Sequence, residues 1–220
     1  ACKWDVIIPF EPLWENYNRI IKDKGAIVLF GNQPFTTLLI NSNLNGFKYC
    51  WQWDKKIPAG MSYARFRPMQ QTEDIAIFTN NGGISNYYPQ MIKRDEPIKS
   101  GGTKKSESAP IKYKDPKFKK TYEYKQPITL IQFDKIRKGS LHPTQKPVAL
   151  LEYLIKTYTN EGETVLDNCA GSGTTAIACL NTNRNYILME KEQKYFEMIE
   201  NRIAKWHSER EPKGLFKKAI

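Results

Sequence analysis

A short apolar run, a carboxylate, a glycine-rich turn and the start of a helix follow one another in residues 165–175, which read VLDNCAGSGTT. Gly171 and Gly173 permit a positive φ and let a ligand approach the backbone closely. In open α/β sheets, such a turn lies at the carboxyl end of a parallel strand, where ligands bind. The segment therefore predicts an α/β fold with a ligand site at this turn.

The turn alone leaves the ligand open. It is not G-x-G-x-x-G, because Ala176 holds the third glycine position, and it lacks the lysine of a phosphate-binding loop. The next apolar run ends in Glu190, 23 residues after Asp167. A carboxylate at the tip of the second strand is placed to accept hydrogen bonds from both hydroxyls of a ribose. The pair favours a nucleoside-containing ligand.

Hydrophobic periodicity divides the rest of the chain into helices and strands. It predicts helices over 11–22, 34–41, 147–158, 174–181 and 193–206, and strands over 26–30, 47–54, 74–79, 164–166 and 185–189. A turn is expected at 56–60, and Phe196 and Ile199 are expected to face inward. The alternation of strands and helices predicts a mostly parallel sheet flanked by helices. Residues 80 to about 129 show no period and are interpreted as an inserted lobe.

The net charge of +11 is concentrated in one segment. Residues 91–138 hold 14 Lys and Arg against 6 Asp and Glu, a net of +8, and the rest of the chain carries +3. Such a segment is typical of a face that binds a polyanion. A solvated, lysine-rich loop explains the charge equally well.

Several classes of protein are excluded or disfavoured. The four cysteines have no C-x-x-C spacing, which argues against a metal site and favours a reducing cytoplasm. None of them follows a proline, so the thiolate that cytosine-C5 methylation requires is missing. No apolar run approaches the roughly 18–20 residues that span a bilayer, and no membrane partner is expected.

Two motifs narrow the assignment to one family. They are SLHPTQKP at residues 140–147 and, after a helix, D-x-x-x-G-S-G-T-T from Asp167. Together they resemble the cofactor half of the permuted, beta-class DNA amino-methyltransferases, which have a Rossmann-like methyltransferase sheet. The resemblance implies that both stretches wrap the methionine part of S-adenosylmethionine and that Glu190 holds its ribose. The cofactor-binding residues it implies are Phe30, Gly31, Asn32, His142, Pro143, Thr144, Gln145, Lys146, Pro147, Asp167, Asn168, Ala170, Gly171, Ser172, Gly173, Thr174, Thr175 and Glu190.

The front of the chain is similar to the catalytic half of the same family. Residues 30–32 match the strand end that touches the cofactor, and residues 51–56 and 65–68 resemble the stretches that follow. The resemblance divides the chain into a catalytic half (1–79), a basic target-recognition insert (80–139) and a cofactor half (140–220). Within the insert, phosphate contacts are expected from Lys117, Lys119 and Lys120.

The family's catalytic signature, D/N/S-P-P-Y/F/W, does not occur in the sequence. In the family it holds the exocyclic amine and stacks on the flipped base. Asn32-Gln33-Pro34-Phe35 is an imitation, but it follows the next strand and lacks the first proline. The simplest interpretation is that the chain starts after the signature and lacks its strand, which in this family lies between the cofactor half and the half starting at Ala26.

The expected function is methyl transfer from S-adenosylmethionine to an exocyclic amine of double-stranded DNA, in the cytoplasm of a bacterium or from a phage gene. Adenine N6 is preferred over cytosine N4 because Asp167-Asn168 looks more like adenine enzymes. The alternative is a truncated or degenerate homologue that binds cofactor or DNA without catalysis. An RNA-methylating relative is a third, weaker reading, and a homodimer is left open.

Overall fold

A computed structural model describes residues 7–83, 85–99, 121–136, 139 and 142–210. The predicted contacts of Lys117, Lys119 and Lys120 lie outside these residues. The predicted helices and strands of both halves are present, and three strands join them from the region where the sequence shows no period. In chain order the elements are α1 Phe10–Ile20, β1 Ala26–Gly31, α2 Phe35–Asn41, β2 Phe47–Ala59, β3 Gln70–Thr79, β4 Ile92–Lys99, β5 Thr121–Lys125, β6 Leu130–Gln132, α3 Val148–Tyr158, β7 Thr164–Asp167, α4 Thr174–Asn181, β8 Asn185–Leu188 and α5 Gln193–Arg210.

The strands form a mixed arrangement, which corrects the prediction of a mostly parallel sheet. One sheet has the order β1-β3-β2-β6, in which β3 is antiparallel to both neighbours and β2 is parallel to β6. The prediction failed because β2 and β3 are joined by a short loop, which permits only an antiparallel pair. Strands β7 and β8 form a separate parallel pair.

Strand β2 continues through the segment predicted as a turn at 56–60. The register with β3 shifts between Asp54 and Ala59, and Lys56 has a φ of 58°. The backbone N–H of Lys56 donates to Oδ1 of Asp54 over 2.8 Å. The turn-forming residues lie within this irregularity of β2. Antiparallel pairing with β3 resumes beyond it, between Ala59 and Gln70.

Helix α3 connects the two sheets through two adjacent faces. Leu150, Leu154 and Tyr158 are buried against the tryptophans of β2 and the isoleucines of β3. Ile155 packs on Ala178 and on Cys179, in α4. The Tyr158 hydroxyl accepts a hydrogen bond from Trp51 Nε1 at 2.7 Å and lies 2.8 Å from the Tyr49 hydroxyl, and burial raises its pKa. One helix thus fixes the cofactor half on the front half.

Strands β1 and β7 are each paired on one edge. All six residues of β1 pair with β3, and all four of β7 pair with β8. Within the described ranges, no strand pairs with the second edge of either. The Tyr17 hydroxyl of α1 donates to Asn168 Oδ1 at 3.1 Å, so the front half meets the cofactor half at the loop after β7.

The chain divides into two compact units, one of residues 1–88 and 129–220 and one of residues 89–128. In the second unit, β4 and β5 form an antiparallel ribbon whose apolar and aromatic side chains are exposed. The role of this unit in target recognition stays a prediction. As for a membrane, none of the helices in the described part of the chain has the length and apolarity to cross one.

Candidate functional site

The turn between β7 and α4 has the backbone that its glycines predict. Gly171 and Gly173 have φ values of 53° and 71°, in the left-handed region. A Cβ added at Gly173 would lie 2.8 Å from Cγ1 of Ile199, so α5 packs directly on the turn. On the same helix Phe196, predicted to face inward, is 44% exposed because one turn of α5 extends past the core that Ile199 reaches.

The polar side chains of the turn stabilise its shape. Asp167 accepts hydrogen bonds from the Cys169 N–H at 3.1 Å and from the Thr175 hydroxyl at 2.5 Å. Ser172, Thr174 and Thr175 are buried. The structure therefore places these predicted site residues beneath the turn, where their side chains support it.

Arg202 of α5 supports the turn from the same side and was missed by sequence analysis. Its Nη1 donates to the Ser172 carbonyl, and it lies 3.3 Å from the Ser172 hydroxyl and 3.4 Å from that of Thr174. Burial lowers the pKa of this guanidinium. The available signal was its spacing, since Arg202 follows Ile199 by three residues and shares its helix face.

Glu190 lies beside the turn, where its spacing from Asp167 predicts it. Oε2 accepts from the Gly171 N–H at 2.7 Å, and Oε1 accepts from the Glu192 N–H at 2.9 Å. An ionised carboxylate has about four acceptor positions, so it retains capacity for two ligand hydroxyls. The Ala170 N–H donates to the Met189 carbonyl at 3.0 Å and joins the ends of β7 and β8.

His142, in the segment before α3, packs against the glycine turn. Its ring contacts Tyr195 edge-on, with centroids 4.4 Å apart, and a Cβ at Gly171 would lie 3.5 Å from it. Nδ1 lies 3.3 Å from the Thr144 N and 3.0 Å from the Thr144 hydroxyl. Burial, with a contribution from Lys146, lowers the pKa of His142 although Glu190 opposes the shift. The shift favours the neutral imidazole.

Lys146, at the other end of the same stretch, reaches the front half. Its Nζ lies 2.7 Å from Glu73 Oε1 and 4.9 Å from the centroid of the Phe30 ring. The other oxygen of Glu73 lies 2.7 Å from Lys55 Nζ. Burial opposes ionisation of Glu73, but the two ammonium groups outweigh it and hold the pKa of this carboxyl below its ordinary value. Residues 142–147 thus extend from the glycine turn to the end of β1.

At the end of β1, a hydroxyl has no partner among the described residues. The Thr36 side chain is 2% exposed, and its Oγ1 makes no hydrogen bond. It lies next to Gly31, where a Cβ would approach it to 2.9 Å. Asn32 Oδ1 accepts from Gln70 Nε2 at 2.6 Å, which ties the strand end to the start of β3.

The imitation signature at residues 32–35 does not present a free aromatic ring. Phe35 begins α2 and packs on the core cluster of Trp14 and Leu39. Its ring centroid lies 6.1 Å from that of Phe10. The partly buried ring of Phe35 therefore supports α2.

Three segments that are far apart in the sequence therefore converge: the glycine turn with Glu190, residues 142–147, and residues 30–32. Two left-handed glycines, a fixed carboxylate and a buried unpartnered hydroxyl suit a nucleoside-containing cofactor. Together with the parallel β7–β8 pair, they define an α/β protein of Rossmann-like architecture.

Comparison with known proteins gives the family. Residues 5–201 match the model of the N6/N4 methyltransferases, described as DNA methylase, and the chain belongs to this family. The family and the α/β fold class predicted from the sequence are confirmed.

Individual relatives agree. The chain is 28% identical over 211 residues to the DNA adenine methyltransferase YhdJ of Escherichia coli K12, covering 90% of this chain and 67% of the relative. It is 41% identical over 75 residues to the type II methyltransferase M.BglI of Bacillus subtilis, covering 34% of this chain. That match spans 22% of M.BglI, about a fifth of its length. The crystal structure of an M1.HpyAVI–SAM complex superposes with a TM-score of 0.58 at 25% identity, covering 89% of this chain and 85% of that one.

Proposed function

We propose that this protein transfers a methyl group from S-adenosylmethionine to an exocyclic amine of double-stranded DNA, with adenine N6 as the acceptor. The observation that carries the proposal is the contact of Glu190 with Gly171 beneath His142, at the carboxyl ends of two parallel strands. Adenine is favoured by the Asp167-Asn168 pair and by the similarity to a relative named as an adenine enzyme. A DNA substrate implies the compartment that holds the DNA, so a location in the bacterial cytoplasm is part of the proposal.

The residues of the site divide the work of holding the cofactor. Glu190 would accept hydrogen bonds from the ribose hydroxyls. It would use the acceptor positions that the N–H groups of Gly171 and Glu192 leave open. The backbone of residues 169–173 and His142 enclose the methionine part. When bound, S-adenosylmethionine supplies an electrophilic methyl group. The described residues of this arrangement are all assigned to the cofactor or to the support of the turn, so we assign the substrate amine to a further element.

We propose that this element is a strand between β1 and β7 that carries a D-P-P-Y-type signature at its end. Both strands have an edge without a partner among the described residues, and an unpaired buried backbone group costs about 1–3 kcal/mol. Tyr17 and Asn168 are in contact at the carboxyl end of β7. A signature there would lie beside the glycine turn, where the methyl group is expected.

The test is to compare residues 1–220 with the same chain extended by whatever coding sequence precedes Ala1. Methylation of mixed-sequence duplex DNA is followed with radiolabelled S-adenosylmethionine, and cofactor affinity is measured by calorimetry. We expect the extended protein to methylate adenine and residues 1–220 to transfer at least several powers of ten more slowly, because the first contacts to the amine are lost. Efficient methylation by residues 1–220 would refute the strand and direct attention to Asn32, Pro34 and Phe35.

The second candidate is a homologue that binds cofactor or DNA without catalysis, and the absence of the signature from the sequence favours it. The same experiment separates the two. If every form of the protein binds S-adenosylmethionine with micromolar affinity but none transfers the methyl group, the non-catalytic function stands.

A further inference from the structure

The loop between β2 and β3, residues 60–68, exposes an unusual set of side chains, and we name it the hairpin tip. Met61, Tyr63 and Phe66 are 74%, 57% and 73% exposed. Large apolar side chains that stand together in solvent mark an interaction site more often than a solvated surface. The backbone hydrogen bonds within the tip join residues 60–67 to one another and are separate from those of the glycine turn, Glu190 and residues 142–147 described above.

The exposure does not reflect an irregular loop. The Tyr63 N–H donates to the Gly60 carbonyl at 2.9 Å, and the N–H groups of Phe66 and Arg67 donate to the Tyr63 carbonyl at 2.9 and 3.1 Å. Gly60 starts the turn with a φ of 94°. Two consecutive hydrogen-bonded turns thus hold the aromatic rings outward.

The charge of the tip identifies the kind of partner. Residues 60–68 contain two basic residues, Arg65 and Arg67, and no acidic one. Arg65 lies 4.7 Å from the centroid of the Phe66 ring and Arg67 lies 5.3 Å from that of Tyr63, and neither forms an ion pair with a described carboxylate. Arginine stacked on an aromatic ring is the combination that binds a nucleic acid, through its phosphates and through the faces of unstacked bases.

The position of the tip relates it to the site. Gln70, the first residue of β3, donates to Asn32 at 2.6 Å, and Asn32 directly follows β1. The tip therefore extends from the edge at which residues 30–32 and Lys146 meet. A base that leaves the duplex to reach this edge leaves its former neighbours unstacked.

We propose that the hairpin tip is a DNA-contacting element, in which Phe66 and Tyr63 stack on bases exposed when the target base is extruded and Arg65 and Arg67 bind the adjacent phosphates. This inference rests on the proposed function, since it assumes a DNA substrate. It assigns a second DNA-contacting surface, separate in sequence from the basic insert.

The experiment uses the full-length protein with S-adenosylhomocysteine and two fluorescent 24-base-pair duplexes of mixed sequence, identical except for one mismatched pair. Affinity is measured by anisotropy for the wild type, for Phe66→Ala and for a double variant with Arg65→Ala and Arg67→Ala. The controls are Leu44→Ala, 65% exposed at the opposite end of β2, and Arg19→Ala on the exposed face of α1. Cofactor affinity is measured for every variant.

We expect the wild type to prefer the mismatched duplex, because its bases unstack more readily. Phe66→Ala should weaken binding by roughly tenfold and remove most of that preference. The double arginine variant should lower the slope of log affinity against log salt by about 1.8, since each phosphate contact contributes about 0.9. The two controls should bind DNA as the wild type does, and all variants should retain their cofactor affinity.

Wild-type DNA affinity and salt slope in both tip variants would overturn the inference while leaving the proposed function intact. So would an equal loss in Leu44→Ala, or a loss of self-association with unchanged DNA binding. If the wild type binds cofactor but neither duplex, the proposed function fails and the inference fails with it.

Discussion

Two regions of the molecule differ in how many of their polar groups have hydrogen-bond partners among the described residues. They are the glycine turn after β7 and the end of β1. Around the turn, Asp167, Glu190 and Arg202 each make at least two hydrogen bonds within the chain. At the end of β1, the Thr36 hydroxyl has no partner among the described residues and one strand edge is unpaired. The turn is thus supported by hydrogen bonds within the described chain, whereas the end of β1 is the part that we propose is completed by a further strand.

This difference separates what local sequence determines from what assembly determines. The turn is built by residues within about thirty-five positions of one another, from Asp167 to Arg202, so its geometry follows from β7, β8 and the two helices α4 and α5. The strand that we propose for the acceptor side would lie between β1 and β7, two segments more than a hundred residues apart.

The Lys146–Glu73–Lys55 cluster links residues 142–147 to β2 and β3. Removing the charge of Glu73 should cause the largest loss of stability among the predicted variants. Glu73→Gln leaves two ammonium groups facing each other around a neutral amide. Loss of one partner of a buried ion pair typically costs about 3–5 kcal/mol. We expect a loss of about 3 kcal/mol in the free energy of unfolding, measured by urea denaturation at pH 7. Lys56→Gln, which breaks the exposed pair with Asp134, is the matched control and should cost under about 1 kcal/mol.

The same cluster predicts a pH dependence. The pKa of Glu73 lies below its ordinary 4.5 in the folded protein, so the unfolded chain binds the proton first as the pH falls. The contribution of Glu73 is therefore complete above about pH 4.5 and disappears as the pH falls through the lower, folded value. The stability difference between wild type and Glu73→Gln should shrink over that range. A difference that stays constant down to pH 3 would show that Glu73 acts through packing alone.

The next largest effect tests how tightly α5 closes the cofactor turn. Gly173→Ala places a Cβ 2.8 Å from Ile199 and forces alanine into the left-handed region. Strain of about 1–2 kcal/mol and overpacking of about 1–3 kcal/mol should together lower the free energy of unfolding by about 2–5 kcal/mol. The matched control is Gly162→Ala, with a φ of 78° and no atom within 4 Å of the added Cβ, which should show the strain alone. Equal losses in the two variants would mean that Ile199 moves aside.

Much of this site could be predicted from the sequence because its signals are local. The apolar run before Asp167, the glycine pair and the distance to Glu190 each rest on strand and turn chemistry within one supersecondary unit. Arg202 and Glu73 were missed because their roles depend on packing. A guanidinium on α5 and a carboxylate in β3 look like surface charges until α5 covers the turn and Lys146 reaches β3.

The errors in the fold have the same origin. The segment 56–60 has the composition of a turn, yet a hydrogen bond from Lys56 to Asp54 lets β2 continue to Ala59. Strands β4 and β5 lie almost wholly exposed, so their sequences carry no hydrophobic alternation from which to predict them. The direction of β3 was missed because periodicity shows where strands are and not how they pair.

The smallest effect concerns affinity alone and tests whether the completed turn is also the ribose site. Glu190→Gln keeps one oxygen that can accept the Gly171 N–H and loses only the acceptor of the exposed Glu192 N–H, so the turn should remain folded with little change in melting temperature. The amide replaces one acceptor oxygen by a donor and removes the charge, and hydrogen bonds to a charged group contribute about 1.5–3 kcal/mol. Calorimetry should therefore show S-adenosylmethionine bound roughly ten- to a hundred-fold more weakly. Glu192→Gln, an exposed carboxylate two residues away, is the control and should bind with wild-type affinity. An unchanged affinity in Glu190→Gln would show that Glu190 only supports the turn, as Asp167 does. The ribose would then have no acceptor of the kind that we propose.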